Sequence, residues 1–174
     1  MNQESAMKKS ELIVVVVILS ILASIGIPSY LNWLNKSKLS IAITSLAQWM
    51  RYTRYESIGD TNPKTICIND NDQQLKVAVI PETDCESVTN WRDLPSGVII
   101  DRLNSSLRTQ PGVAGNNGTI YRASWADTAA GIGGSWGQLG RITLMSNNST
   151  ERKCIFLSHV DGRFDVRNGD RCIR

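Results

Sequence analysis

The chain has 174 residues, 41% of them hydrophobic and 20% charged, which is one ordinary domain's worth of material with a core of its own and excludes global disorder. Its formal charge is +3, of which Lys8, Lys9, Lys36 and Lys38 against Glu4 and Glu11 supply +2 within the first 38 residues. The remainder is nearly neutral at +1, so net charge alone gives no argument for a nucleic-acid partner.

From the N-terminus, residues 12–27 form an uncharged apolar run of 16, broken in polarity only by Ser20 and Ser24. At about 1.5 Å per residue the run spans roughly 24 Å, short of the roughly 30 Å of bilayer hydrocarbon, but Tyr30, Leu31, Trp33 and Leu34 carry the apolar character past Pro28. One membrane passage is predicted, with Tyr30 and Trp33 at the water interface. A secretory signal would use Lys8 and Lys9 as its basic end and be cut at Ser24-Ile25-Gly26. Pro28 and the apolar residues 30–34 would then open a mature soluble terminus that has no need of them. Glu11 separates the remaining accounts: a carboxylate at the edge of an apolar helix is costly in lipid unless it meets a cation, and a plain anchor has no use for one.

Ala6, Met7, Glu11, the run 12–27 and Pro28-Ser29-Tyr30 together resemble the start of a type IV pilin or pseudopilin. The resemblance implies a leader of residues 1–6 cut by a prepilin peptidase between Ala6 and Met7, and N-methylation of Met7. It also implies a retained assembly glutamate at Glu11 and the family's helix proline at Pro28, two landmarks that align without a gap. The sequence departs from the family pattern in having Ala6 where glycine is usual and the polar Met7-Lys8-Lys9-Ser10 where Phe-Thr-Leu-Ile is usual. Residues 7–36 are then the hydrophobic helix, transmembrane before assembly, and Glu11 pairs with the freed amino group of a neighbouring subunit, setting registry where water is excluded.

Residues 37–58 carry Leu39, Ile43, Leu46, Ala47 and Met50 at three- and four-residue steps, the stripe of an amphipathic helix that Gly59, Asp60 and Pro63 end. With the first segment this predicts one long N-terminal helix, kinked or locally melted at Pro28 because proline removes a backbone donor. Trp49, Tyr52 and Tyr55 with Arg51 and Arg54 read as core and rim packing.

After residue 63, short apolar runs alternate with turn residues. Strands are predicted at 65–68, 75–80, 97–103, 119–123, 141–145, 154–158 and 163–166, with hairpin turns at Asn117-Gly118 and Asp161-Gly162. The fold class is therefore α+β, a long helix packed on an antiparallel sheet domain over residues 37–174. Residues 131–140, with five glycines around Trp136, read as a surface loop that fits neither the P-loop nor the dinucleotide fingerprint.

Cys67, Cys85, Cys154 and Cys172 form no CxxC pair, which argues against zinc and thioredoxin-like chemistry. Of three pairings, Cys67 with Cys85 and Cys154 with Cys172 each close a local loop, and these two bridges are predicted; the alternative is four free buried thiols. Bridged, each adds about 3 kcal/mol and places the domain in an oxidising compartment.

Catalytic residues are scarce. His159 is the single histidine, with no nucleophile pattern around it, and the acidic stretch of residues 69–72, with Asp70 and Asp72, lacks the glycine and later glutamate of a calcium loop and reads as a solvated turn. No cofactor, metal or enzymatic activity is expected, and any filament motor is a separate protein.

Residues 46–57, 65–68 and 154–166 further resemble the helix, first strand and final hairpin of the GspH/FimT branch of pilin-like proteins. The implied function is a minor pilin of a type IV pilus, inserted in the bacterial inner membrane by a single pass with its C-terminal domain periplasmic, and later exposed in the filament at the cell surface. Its partners would be other pilins or pseudopilins, the prepilin peptidase and the inner-membrane assembly platform. The alternatives are a type II secretion pseudopilin, a DNA-binding minor pilin for uptake, and a secreted β domain cut at Gly26. For DNA the candidates are Arg163 and Arg167, in a segment, 151–174, with net charge +2. Some members of the FimT branch bind DNA through a Gly-Arg-x-Arg turn, whereas Gly162-Arg163 is followed here by Phe164-Asp165, and the aspartate opposes phosphate.

Overall fold

The computed structural model describes residues 9–58, 60, 62–71, 74–82, 84–111, 118–126, 136–137, 140–147, 149–157 and 163–173. The chain divides into two units, residues 1–34 and residues 35–174. Helix α1, Lys9–Glu56, contains Pro28 and stays helical across it, so the melting expected at the proline does not occur.

Within the second unit the stripe predicted from spacing is the buried one: Leu39, Ile43, Leu46, Ala47 and Met50 are all buried, joined by Ala42. The end of α1 is closed by its own side chains. Ser57 Oγ donates to Arg54 O, a carbonyl of the last turn, at 2.7 Å, and Thr53 Oγ1 back-bonds to Trp49 O at 2.8 Å, which satisfies its own buried hydroxyl. Gly59, the expected stop, lies outside the described residues.

The β part forms two antiparallel sheets. The first has the order β3 (Arg92–Asp93), β2 (Leu75–Ile80), β1 (Lys64–Asp70), β6 (Thr119–Ala126), β5 (Arg108–Pro111), with β7 (Trp136–Gly137) also on β6. The second runs β10 (Phe164–Asn168), β9 (Arg152–Leu157), β8 (Gly140–Ser146), β4 (Val98–Ile100). All seven predicted strands are present, but the one expected over 97–103 is only Val98–Ile100, because Asp101 caps a short 3-10 turn, Arg102–Asn104; β3, β5 and β7 are short edge pieces that two to four residues of sequence do not announce. Trp136–Gly137 and Gly140 therefore belong to strands and not to a single loop over 131–140.

One apolar cluster joins the helix to both sheets, with Leu46 and Met50 from α1, Ile66, Val77 and Trp125 from the first sheet, and Ile100, Leu144 and Ile155 from the second. Burying this many large side chains, each contributing about 1.5–3 kcal/mol, is what fixes the second half of α1 on the sheets.

Both expected turns differ from simple two-residue hairpins. The β9–β10 ladder pairs Leu157 with Phe164, whereas a two-residue turn at Asp161-Gly162 demands Leu157 opposite Val166. The turn residues themselves, and His159, lie outside the described residues. The β5–β6 ladder closes on Pro111 opposite Thr119, so Asn117-Gly118 sits within a longer connection, Asn117 being outside the described residues. Gly118 is needed for a different reason: a Cβ there would collide with Asp70 O and come within 2.6 Å of Asn69 Oδ1 at the end of β1.

Asp70 also departs from the expected solvated turn. It ends β1, is buried, and accepts from Arg102 Nε at 3.0 Å; Asp72 lies outside the described residues. Arg102 belongs to the crossover between sheets, residues 101–107, whose Asp101 N donates to Thr143 O and whose Ser106 and Leu107 amides donate to Arg141 O. The Asp70–Arg102 pair thus ties the end of β1 to the segment that carries the chain from one sheet to the other.

Candidate functional site

The first unit contains the helix stretch that is long and apolar enough to cross a membrane, and none of that stretch is buried. Leu12, Ile13, Val14 and onward to Leu31 and Trp33 expose large apolar side chains on every side of the helix, Ile25 at 70%. A helix apolar all round needs a nonaqueous surrounding. The two polar residues in the run do not spoil it: Ser20 Oγ donates to Val16 O and Ser24 Oγ to Ile21 O, each at 2.7 Å, so neither hydroxyl is left unsatisfied in hydrocarbon. This back-bonding was not expected from the sequence, where serine at i and a carbonyl at i−3 or i−4 is the only available signal.

Glu11 is exposed in the first turn of α1, where a carboxylate is favoured by the helix dipole. Ala6 and Met7 lie outside the described residues. Tyr30 and Trp33 lie one turn apart on the helix with ring centroids 6.0 Å apart, one amphipathic aromatic pair at the end of the apolar stretch.

The disulfides fix the ends of the second unit's loops. Cys67 in β1 is bonded to Cys85, which opens a short 3-10 turn, Cys85–Ser87, capped by Asp84; Cys154 in β9 is bonded to Cys172, which closes another, Gly169–Cys172. All four sulfurs belong to buried residues, and no described cysteine is free. Arg141 reaches the C-terminal segment as well, with Nε on Asn104 O at 2.7 Å and Nη1 on Ile173 O at 3.2 Å.

The candidate DNA residues lie on the outermost strand of the second sheet. Arg163, exposed, precedes β10, and Arg167, half-buried, lies within it. Positions 163, 165 and 167 share one face, so Asp165 stands between the two arginines. Arg167 Nη2 is 3.5 Å from Asp165 Oδ2, and its guanidinium lies 4.9 Å from the Phe156 ring centroid. The arginine is therefore drawn down onto the sheet by a carboxylate and an aromatic ring.

Of the predicted aromatic cluster, Trp49 packs on the core beneath Arg92, whose guanidinium is 4.8 Å from its ring, while Tyr52 and Tyr55 stay exposed. Arg51 lies 5.7 Å from the ring of Phe164. Rim packing describes Trp49 and Arg51; Tyr55, at 74% exposure, is not packed. Among the described residues no group of three or more histidine, cysteine, aspartate or glutamate residues is placed to hold a metal ion. No family model, curated protein or solved structure matches this chain.

Proposed function

We propose that the chain is a structural subunit of a type IV pilin-like filament, a minor pilin, held in a membrane by its N-terminal helix before that helix packs among those of other subunits. The observation that carries this reading is the division within α1: its N-terminal part shows apolar side chains all round, and its C-terminal part is the central element of a disulfide-bonded α+β domain. A soluble domain does not need the first, and a simple anchor does not need a single helix that serves both.

The physics of the transfer favours such a role. Lipid tails are as apolar as leucine, so moving this helix from bilayer to a bundle of like helices requires no new hydrophobic driving force, and packing and polar pairs decide where it settles. Glu11 is the polar pair in this scheme, its carboxylate meeting the amino group of Met7 on a neighbour after the leader is removed. Such a pair specifies registry more than it adds stability. The bridged cysteines agree with a domain outside the cytoplasm, in the periplasm and then at the cell surface.

Mass spectrometry of the native N-terminus tests this. The expected product begins at an N-methylated Met7. A chain beginning at Ile27 would show secretion as a soluble domain and sink the proposal.

A further inference from the structure

Strand β2 is paired with β1 along its whole length, but its other edge is matched by β3 only at Lys76 opposite Asp93 and Val77 opposite Arg92. On that edge Leu94 N donates to Leu75 O at 2.8 Å, which fixes the alternation: the backbone groups of Leu75, Val77 and Val79 face away from β1. Among the described residues no strand pairs with positions 78–80 on this edge, so the amide and carbonyl of Val79 face outward beyond the end of the ladder.

The chain itself creates this overhang. Cys85 is bonded to Cys67, and Val88 and Trp91 pack with those cysteines, Ile80 and Ile120 in a small apolar cluster. Cys67 alternates along β1 with Ile66 and Ile68, which belong to the core under the helix, so the cluster lies on the opposite face of the sheet. Cys85, Val88 and Trp91 are thereby held on that far face, and the β2–β3 ladder stops at Arg92, short of Val79.

The uncovered edge opens on a groove of about 760 Å³ between β2 and the Trp49, Tyr52 and Glu56 side of α1, bordered by Asn90 and Arg92. Trp49 and Tyr52 meet edge to face at 6.0 Å, giving the groove an aromatic wall. The volume lies in the range of ordinary ligand sites.

We propose that this groove docks an extended peptide segment of a partner protein, which adds to β2 as an antiparallel strand with an apolar residue opposite Val79. A strand edge offering an amide and a carbonyl at one residue is complementary to a polypeptide backbone, which returns both hydrogen bonds from the residue directly opposite. Directly opposed residues put their side chains on the same face, and Val79 packs on the helix side of the sheet. The partner residue opposite Val79 therefore sends its side chain toward Trp49 and Tyr52, while its neighbours point to the far face. The footprint is short, about 10 Å for three residues. It ends at Pro81, the next position whose amide would face this edge, because proline has no amide to offer.

The test uses the full chain in detergent micelles and a set of acetylated, amidated pentapeptides Thr-Ser-X-Ser-Thr, with X as Ile, Phe, Trp, Ser or Asp. Binding and amide exchange at Val79 are followed by NMR. The expected result is that the apolar peptides slow Val79 exchange and bind about tenfold tighter than those with Ser or Asp, and that N-methylating the amide of X costs about tenfold. Tyr52→Ala, at an exposed position, should weaken the Phe peptide while leaving the far-UV dichroism and the denaturation midpoint of the domain unchanged. Absence of binding across the set, equal binding of the N-methylated peptide, or Val79 protection that arises from self-association without peptide would each overturn the proposal.

Discussion

Arg152 Nε donates to Asp101 Oδ2 at 2.7 Å across 51 positions of sequence, joining β9 to the crossover that leaves β4. Asp101 is buried and also accepts from Asn104 N at 3.3 Å and Asn104 Nδ2 at 2.9 Å. Burial pushes its carboxyl pKa up, but the hydrogen bonds from Arg152 and Asn104 and the arginine's charge outweigh it and hold the pKa below its ordinary value. A carboxyl whose folded pKa is lowered contributes stability that is complete above the unfolded value, near 3.8, and is lost as pH falls toward the folded one. Denaturant titrations of the full chain in micelles from pH 7 to pH 3 should therefore show wild type losing stability below about pH 4, and Asp101→Asn losing about 2 kcal/mol at pH 7 with a flatter acid limb. An acid limb of equal steepness in the variant would count against Asp101 as its source.

Gly118→Ala should destabilise the domain by about 2–3 kcal/mol, because the added Cβ meets the Asp70 carbonyl, which cannot move without disturbing the β1–β6 ladder. A shift in the chemical denaturation midpoint measures it. Gly97, where a Cβ meets nothing but φ is +83°, should cost less, about 1 kcal/mol, from backbone strain alone.

Replacing both Cys154 and Cys172 with alanine should cost about 3 kcal/mol and expose the C-terminal segment to carboxypeptidase, since the bridge and the Arg141 contact to Ile173 are what hold it. The same change at Cys67 and Cys85 should cost a similar amount and also free Val88 and Trp91 from the far face of the first sheet. Trypsin cleavage after Arg92, compared before and after the change, separates the two.

Leu46→Ala should lower stability by about 2–5 kcal/mol, as the side chain is fully buried at the junction of helix and sheets. Ile18→Ala, on an exposed position of the apolar stretch, should leave the folding of the α+β domain unchanged. The contrast is read from the denaturation midpoint of the two variants in the same micelles.

On the proposed filament role, Glu11→Gln should leave membrane insertion intact and reduce recovery in sheared filament fractions at least about tenfold, since the amide keeps the shape but loses the charge proposed to pair with a neighbouring amino terminus. Equal recovery would remove Glu11 from the assembly scheme. For duplex DNA, the face shared by Arg163, Asp165 and Arg167 should show only weak binding with a shallow salt dependence, and Asp165→Ser should steepen it by removing a charge that opposes phosphate.

Much of the architecture was legible in residue order because it depends on period. The stripe from Leu39 to Met50 has helical spacing, and β2 and β8 are short apolar runs flanked by turn residues, so a one-dimensional pattern reports which element forms and which face is buried. The two disulfides were legible for a related reason, each closing a local loop of 18 residues. Asp70 was misread because its partner is neither nearby lysine, Lys64 or Lys76, but Arg102, which is 32 positions away and arrives only through the crossover. The β9–β10 register was not legible because a turn dipeptide such as Asp161-Gly162 does not fix the ladder, where the sheet pairing places Leu157 opposite Phe164.

The sequence by itself determined the division of this protein into an apolar helix stretch and a bridged α+β domain, since both follow from local composition and spacing. The tertiary structure alone decided that Asp101 and Asp70 are buried and paired, that Gly118 must lack a side chain, and that β2 overhangs β3. Each of these depends on which segments meet across dozens of residues, and long-range meeting is set by the burial of a shared core, which no local pattern encodes.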